Sequence, residues 1–162
     1  MTRRIAIDIE TSGLDPEAGF GIIRICAVEL LVGGRLGANF QSLVKPLRPL
    51  IPLAEEVTSI TNEMLVKAPS FSDIAAEFLN FSAEAELICL NAAFERAFLN
   101  RALADTGLPP LPLGRFMDLS SKVPCDLREQ GSDGIYRYAG IKRNPIAPPS
   151  HEVALLYRAL MG

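Results

Sequence analysis

Asp8 and Glu10 are the residues of this sequence best placed to do chemistry. They stand two apart in residues 3–10, where Ile5, Ile7 and Ile9 alternate with Ala6, Asp8 and Glu10. Alternation of period two predicts a strand, so both carboxylates leave one face with α-carbons about 6.6 Å apart. Two carboxylates so placed repel unless a cation sits between them. The plain alternative is the solvent side of an amphipathic strand. Thr11-Ser12-Gly13-Leu14 follows at once and weighs against it.

The elements that must position this pair follow from the rest of the chain. Residues 22–32 and 36–44 are apolar runs separated by Gly33-Gly34, a hairpin signal, so the first three strands form an antiparallel meander. Prolines between Pro46 and Pro52 forbid regular structure there. Ser70 opens a helix with Ile74, Phe78 and Phe81 at helical spacing. Residues 86–90 read as a short buried strand, 92–105 as a helix ended by Gly107, and 115–118 as a fifth strand. Glycines and prolines across 119–149 predict a loop-rich excursion with at most one short helix. Ser150 is the expected N-cap of a last helix running to Met161. The order βββαβαβα predicts an α/β fold: one mixed five-stranded sheet with helices on both faces.

The chain has 162 residues, 49% hydrophobic and 22% charged, a globular balance sized for a single domain over 1–162. No apolar run is long enough to span a membrane, and the charged start is unlike a signal peptide. Cys26, Cys89 and Cys125 have no metal-site spacing and read as free thiols of a reducing compartment, hence a cytoplasmic location. A net charge of −3 disfavours a protein that grips duplex DNA over its whole surface. It fits a small footprint around a strand end.

Asp8-Ile9-Glu10-Thr11-Ser12-Gly13-Leu14 resembles the first motif of the DEDD-type 3′–5′ exonucleases, D-x-E-T-T/S-G-L. Leu43-Val44-Lys45-Pro46 and Ile60-Thr61-Asn62-Glu63-Met64-Leu65 match the same family in register, with Thr58-Ser59 in place of its His-Gly. Asn91-Ala92-Ala93-Phe94-Glu95 resembles the second motif, and the similarity is strong to about Asp118. The chain resembles polymerase III epsilon-type proofreading subunits and their stand-alone cousins. This resemblance implies a ribonuclease-H-like fold and metal-dependent removal of nucleotides from the 3′ end of single-stranded DNA or RNA. It also implies a pair of Mg²⁺ or Mn²⁺ ions about 3.5–4 Å apart, held by oxygen ligands. By position, Asp8 would bridge both ions, Glu10 would hold the first and Glu95 the second. Thr11, Ser12, Gly13 and Leu14, with Asn91 and Phe94, would contact the terminal nucleotide. His151, the sole histidine, falls where the family places its general base.

The pattern breaks in three places. Glu95 stands for an aspartate, and Leu90 for a histidine. The last motif, H-x-x-x-x-D, puts Leu156 where the fourth carboxylate belongs, which predicts a weakened first ion and slower turnover. Glu152 points only about 40° from position 156 on a helical wheel but lies about 6 Å away along the axis, so it is a poor substitute. Asp118 is expected to be structural, and nothing in the sequence places Asp126 or Asp133. The alternative function is a non-catalytic exonuclease-like domain that binds a nucleic-acid end or a polymerase-type partner. A last helix reaching Met161 favours a stand-alone role. Leu47, Leu50, Ile51 and Leu53 read as core, with a homodimer contact as the alternative. Arg137, Lys142 and Arg143 read as a solvated loop rather than a phosphate contact.

Overall fold

The computed structural model describes residues 2–144 and 146–161. Five strands form one mixed sheet in the order β3-β2-β1-β4-β5. β1 (Arg4–Thr11), β2 (Ile22–Leu30) and β3 (Leu36–Leu43) make the antiparallel meander. β4 (Glu86–Cys89) and β5 (Phe116–Asp118) extend it in parallel on the other side of β1. The turn between β2 and β3 is made where expected, with Gly33 and Gly34 both at positive φ. β1 pairs with β2 along its whole length but with β4 only over Arg4–Ala6. Beyond Ala6 the sheet therefore opens into a notch on the β4 side. Ligands of α/β sheets collect at such switch points, beyond the carboxyl ends of diverging strands.

Each face of the sheet carries its own core. Ile5, Ile7 and Ile9 pack with Phe78, Phe98, Leu99 and Leu103, under α3 (Phe71–Ser82) and α4 (Ala92–Asp105). α3 starts with a capping box between Ser70 and Asp73, a device worth about 1 kcal/mol. On the opposite face Ala6, Val28 and Ile88 pack with Leu119, Val153 and Leu156. Val153 and Leu156 belong to α7 (Pro149–Met161). The alternation of β1 thus sends its isoleucines to one layer and Ala6, Asp8 and Glu10 to the other.

Four expectations need correction. α1 (Pro52–Thr58) is a helix that begins on the last of the prolines, since proline is pre-organised for a first helical position. The excursion over 119–149 holds two helices, α5 (Cys125–Arg128) and α6 (Gly131–Tyr138). Ser150 lies inside α7, buried, and the helix starts one residue earlier at Pro149. Of the four apolar residues read as core, only Leu50 is buried, beside Ile60 and Leu65; Leu47, Ile51 and Leu53 are exposed. α2 (Asn62–Leu65) starts where the resemblance puts a helix, capped by Thr61. Cys26 and Cys89 are buried free thiols and Cys125 is an exposed one. Among the described residues, no helix is long and apolar enough to cross a membrane.

Candidate active site

Asp8 is carried by the hydrogen-bond ladder of β1 and β2, opposite Cys26. Glu10 follows on the same face, opposite Arg24, whose Nη2 donates to Glu10 Oε1 at 3.1 Å. A register shift between Glu10 and Thr11 ends the regular pairing and starts the next loop. Ser12 closes that loop: its amide donates to Gly21 O at 2.9 Å and its hydroxyl accepts from the Gly21 amide at 3.0 Å. A β-carbon on Gly13 would lie 2.4 Å from the Phe20 ring, so only glycine lets the loop fold this tightly. Leu14 is left 86% exposed.

Glu95 comes from the other layer. Asn91 caps α4 by accepting from the Phe94 amide at 3.2 Å, and Asp118 Oδ2 accepts from the Ala92 amide at 3.1 Å. Asp118 also takes the Ser120 hydroxyl at 2.6 Å, so it serves the structure, as expected. These caps fix the first turn of α4, and Glu95 within it is only 4% exposed. Its Oε2 is buried without any hydrogen-bond partner.

Burial and mutual repulsion dominate the electrostatics. Asp8 is pushed up to about 7, by burial first and then by Glu10, while Arg24 and Arg143 pull the other way. Glu95 is raised well above the ordinary carboxylate range by burial and then by Asp8, against a hydrogen bond from the Ile9 backbone. Glu10 is raised by burial, with Arg24 opposing. Burial therefore disfavours the charge of all three carboxylates, and Glu95 has an orphaned oxygen. All-oxygen donors of this kind suit a hard divalent cation. Among the described residues, the side chains do not draw three His, Cys, Asp or Glu donors close enough to form a ready-made cage. The donor chemistry and the orphaned Oε2 fit a cation, with side-chain adjustment on binding.

A cleft of about 620 Å³ runs past this cluster, lined by Glu10, Arg24, Gln41, Thr58, Ser59, Asp133, Arg143 and Glu152, among others. Ser59 holds φ of +56°, a left-handed conformation, at the place where the resembled motif has glycine. His151 is half-buried on α7; its neighbour Glu152, not His151, lines the cleft. Phe94 is half-buried against Phe98, with ring centroids 4.9 Å apart. Leu156 is wholly buried in the apolar layer on Ala6 and points no polar atom anywhere. Sequence reasoning set aside Glu152 and read Arg143 as solvated. Instead, Arg143 donates to Glu152 at 3.0 Å and to Asp133 at 2.9 Å. A larger concavity of about 1160 Å³ lies at the other end of β1, around Arg4, Tyr157 and Arg158, and none of its described lining residues is acidic.

The fold and this cluster define a class, and comparison with known proteins names it. The Exonuclease family model matches residues 5–131. The chain therefore belongs to that family, and its sheet is that of the ribonuclease-H-like DEDD enzymes. It is similar to the DNA polymerase III subunit epsilon of Pasteurella multocida (strain Pm70), with 39% identity over 103 residues, 61% of this chain and 41% of that protein. The chain thus spans less than half the length of the curated relatives it matches. Among solved structures, exonuclease X in complex with 5′ overhanging duplex DNA superposes with a TM-score of 0.67 at 24% identity, covering 99% of this chain and 91% of that one. The nuclease domain of 3′hExo, a DEDDh family member bound to rAMP, gives 0.78 at 18% identity, over 95% and 88%. The family match stops before α7, the element that carries His151, Glu152 and Leu156.

Proposed function

We propose that this chain is a metal-dependent 3′–5′ exonuclease that removes nucleotides from single-stranded nucleic-acid ends. One observation carries the reading: on a chain of the exonuclease family, burial raises Asp8, Glu10 and Glu95, Asp8 and Glu95 are further raised by neighbouring carboxylates, and Glu95 Oε2 is buried without a partner. Structural carboxylates are normally paired or solvated. Leu156, the residue that favoured a non-catalytic domain, is an ordinary part of the core.

Asp8, Glu10 and Glu95 would hold Mg²⁺ or Mn²⁺. Such a cation supplies Lewis acidity, lowering the pKa of an attacking water and stabilising a departing 3′ oxygen. The chain's own residues do the rest. Glu95, buried from water, keeps Oε2 without a hydrogen-bond partner and so open to a cation. Arg24 orients Glu10 through their 3.1 Å bond. The loop closed by Ser12 leaves Leu14 exposed as an apolar surface that would meet a nucleobase, and Thr11, Gly13, Asn91 and Phe94 would contact the same nucleotide. His151, the chain's only imidazole, is the residue to accept a proton from water.

The test is a 5′-labelled single-stranded DNA and a matching RNA, incubated with the protein in Mg²⁺ and separately in Mn²⁺. Stepwise shortening from the 3′ end that vanishes in Asp8→Ala is the expected result. Full-length product in every lane, with a folded protein, would overturn the reading.

A further inference from the structure

α7 lies across β1 in a register that the linear motif conceals. Leu156 and Ala6 lie in one buried cluster, Arg4 at the start of β1 stacks over the Tyr157 ring, and Glu10 at its other end lines the same cleft as Glu152. Glu152 is four residues earlier, about 6 Å along the helix axis and on nearly the same face. Asp8 is two residues beyond Ala6, about 6.6 Å along the strand. α7 thus runs antiparallel to β1, and the matching steps put Glu152 at the end of β1 that carries Asp8 and Glu10. The electrostatics agree, because Glu152 is one of the charges that raise Asp8.

An acidic residue in the first turn of a helix ordinarily stays in solvent and complements the dipole. Glu152 does not, since it is 5% exposed. A buried carboxylate is costly unless paired. Here Oε1 accepts the Asn144 amide at 2.7 Å and Oε2 accepts Arg143 Nε at 3.0 Å. Arg143 also reaches Asp133 at 2.9 Å and lies 5.1 Å over the Tyr136 ring. The Arg143 side chain is nearly half exposed while Glu152 is not. The arginine is therefore an exchangeable partner on the cleft side of a carboxylate that cannot retreat into water.

We propose that Glu152 is the fourth carboxylate of the cation site, and that Arg143 is the counter-ion it exchanges when a divalent cation arrives. This rests on the function proposed above. Arg143, still held by Asp133 at the cleft wall, is then free to meet a substrate phosphate oxygen. The last carboxylate has moved one helical turn, and an arginine keeps its charge compensated until it is needed.

Calorimetric titration of Mn²⁺ into the wild type, Asp8→Asn, Glu152→Gln, Arg143→Gln and the Glu152→Gln/Arg143→Gln double variant tests this. Asp8→Asn and Glu152→Gln each weaken Mn²⁺ binding by at least about tenfold. Arg143→Gln tightens it, because a competitor for Glu152 is gone, and the double variant binds like Glu152→Gln alone. Glu152→Asp, which keeps the charge, retains measurable binding and guards against a folding artefact. If Asp8→Asn loses Mn²⁺ while Glu152→Gln keeps wild-type affinity, the inference is overturned and the proposed function stands. Parallel weakening in Glu152→Gln and Arg143→Gln marks a structural ion pair and also overturns it. A wild type that binds no Mn²⁺ sinks both.

Discussion

Glu95, in the first turn of α4, takes more repulsion from Asp8 on β1 than from any other charged residue. The two come from opposite layers of the fold, and among the described residues neither forms a salt bridge with an arginine. Their repulsion makes the metal-free protein sensitive to pH. Asp8 titrates near 7 in the folded chain and near 3.9 when unfolded. Between those values the folded state binds more protons, so stability falls as pH rises. The thermal midpoint in chelator should drop from about pH 5 to about pH 8, and Mn²⁺ should flatten the slope. A midpoint that climbs over that range would show that these carboxylates are not raised.

Removing the charge should have opposite effects on stability and on function. Asp8→Asn keeps the shape and deletes the repulsion, so its metal-free midpoint at pH 8 should exceed that of the wild type. The same variant should lose nuclease activity. An unchanged midpoint would mean that the repulsion is already relieved in the metal-free chain.

Restoring the expected aspartate should fail. Leu156 is fully buried in the cluster that holds Ala6, Val28 and Ile88, where a carboxylate would lose its hydration. Leu156→Asp should cost roughly 3 kcal/mol or more and gain no activity. A folded Leu156→Asp with faster turnover, measured by denaturant unfolding and by strand shortening, would relocate the fourth ligand to position 156.

Much of the fold was legible because its signals are local. The alternation of β1, the glycine pair of the hairpin and the caps of α3 and α4 all act within a few residues. What was missed depends on distant partners. Gly134 reads as a helix breaker, but it lies inside α6 because a β-carbon there would sit 2.7 Å from Leu127 O. Pro52 reads as a stop and acts as a start. Within the site, Asp8 and Glu10 share one face of β1 as their spacing implies, while Glu152 was set aside. Its position depends on how α7 rests on β1, and no spacing within α7 encodes that.

Gly13→Ala should leave the sheet intact and damage the entrance. The added methyl group must displace the Phe20 ring, so the loop carrying Leu14 shifts. A higher KM for oligonucleotide, with Mn²⁺ affinity preserved, is the expected outcome. Equal KM values would remove this loop from the substrate path.

His151→Gln should lower kcat by about 10²-fold or more and leave Mn²⁺ binding in place. A kcat within a fewfold of wild type would assign the proton to water or to another group.

The way each carboxylate is held has an evolutionary consequence. Asp8 and Glu10 are locked by backbone pairing, where a slip of one residue would turn them to the opposite layer. α7 is held on the sheet by packed side chains, whose ridges recur with each turn. A helix seated this way drifts in steps of a whole turn, presenting the same face after each step. A ligand on such a helix can therefore migrate through a lineage while those on the strand stay fixed. Homologues in which the terminal aspartate has vanished should be searched for an acidic residue one turn away before they are counted as inactive.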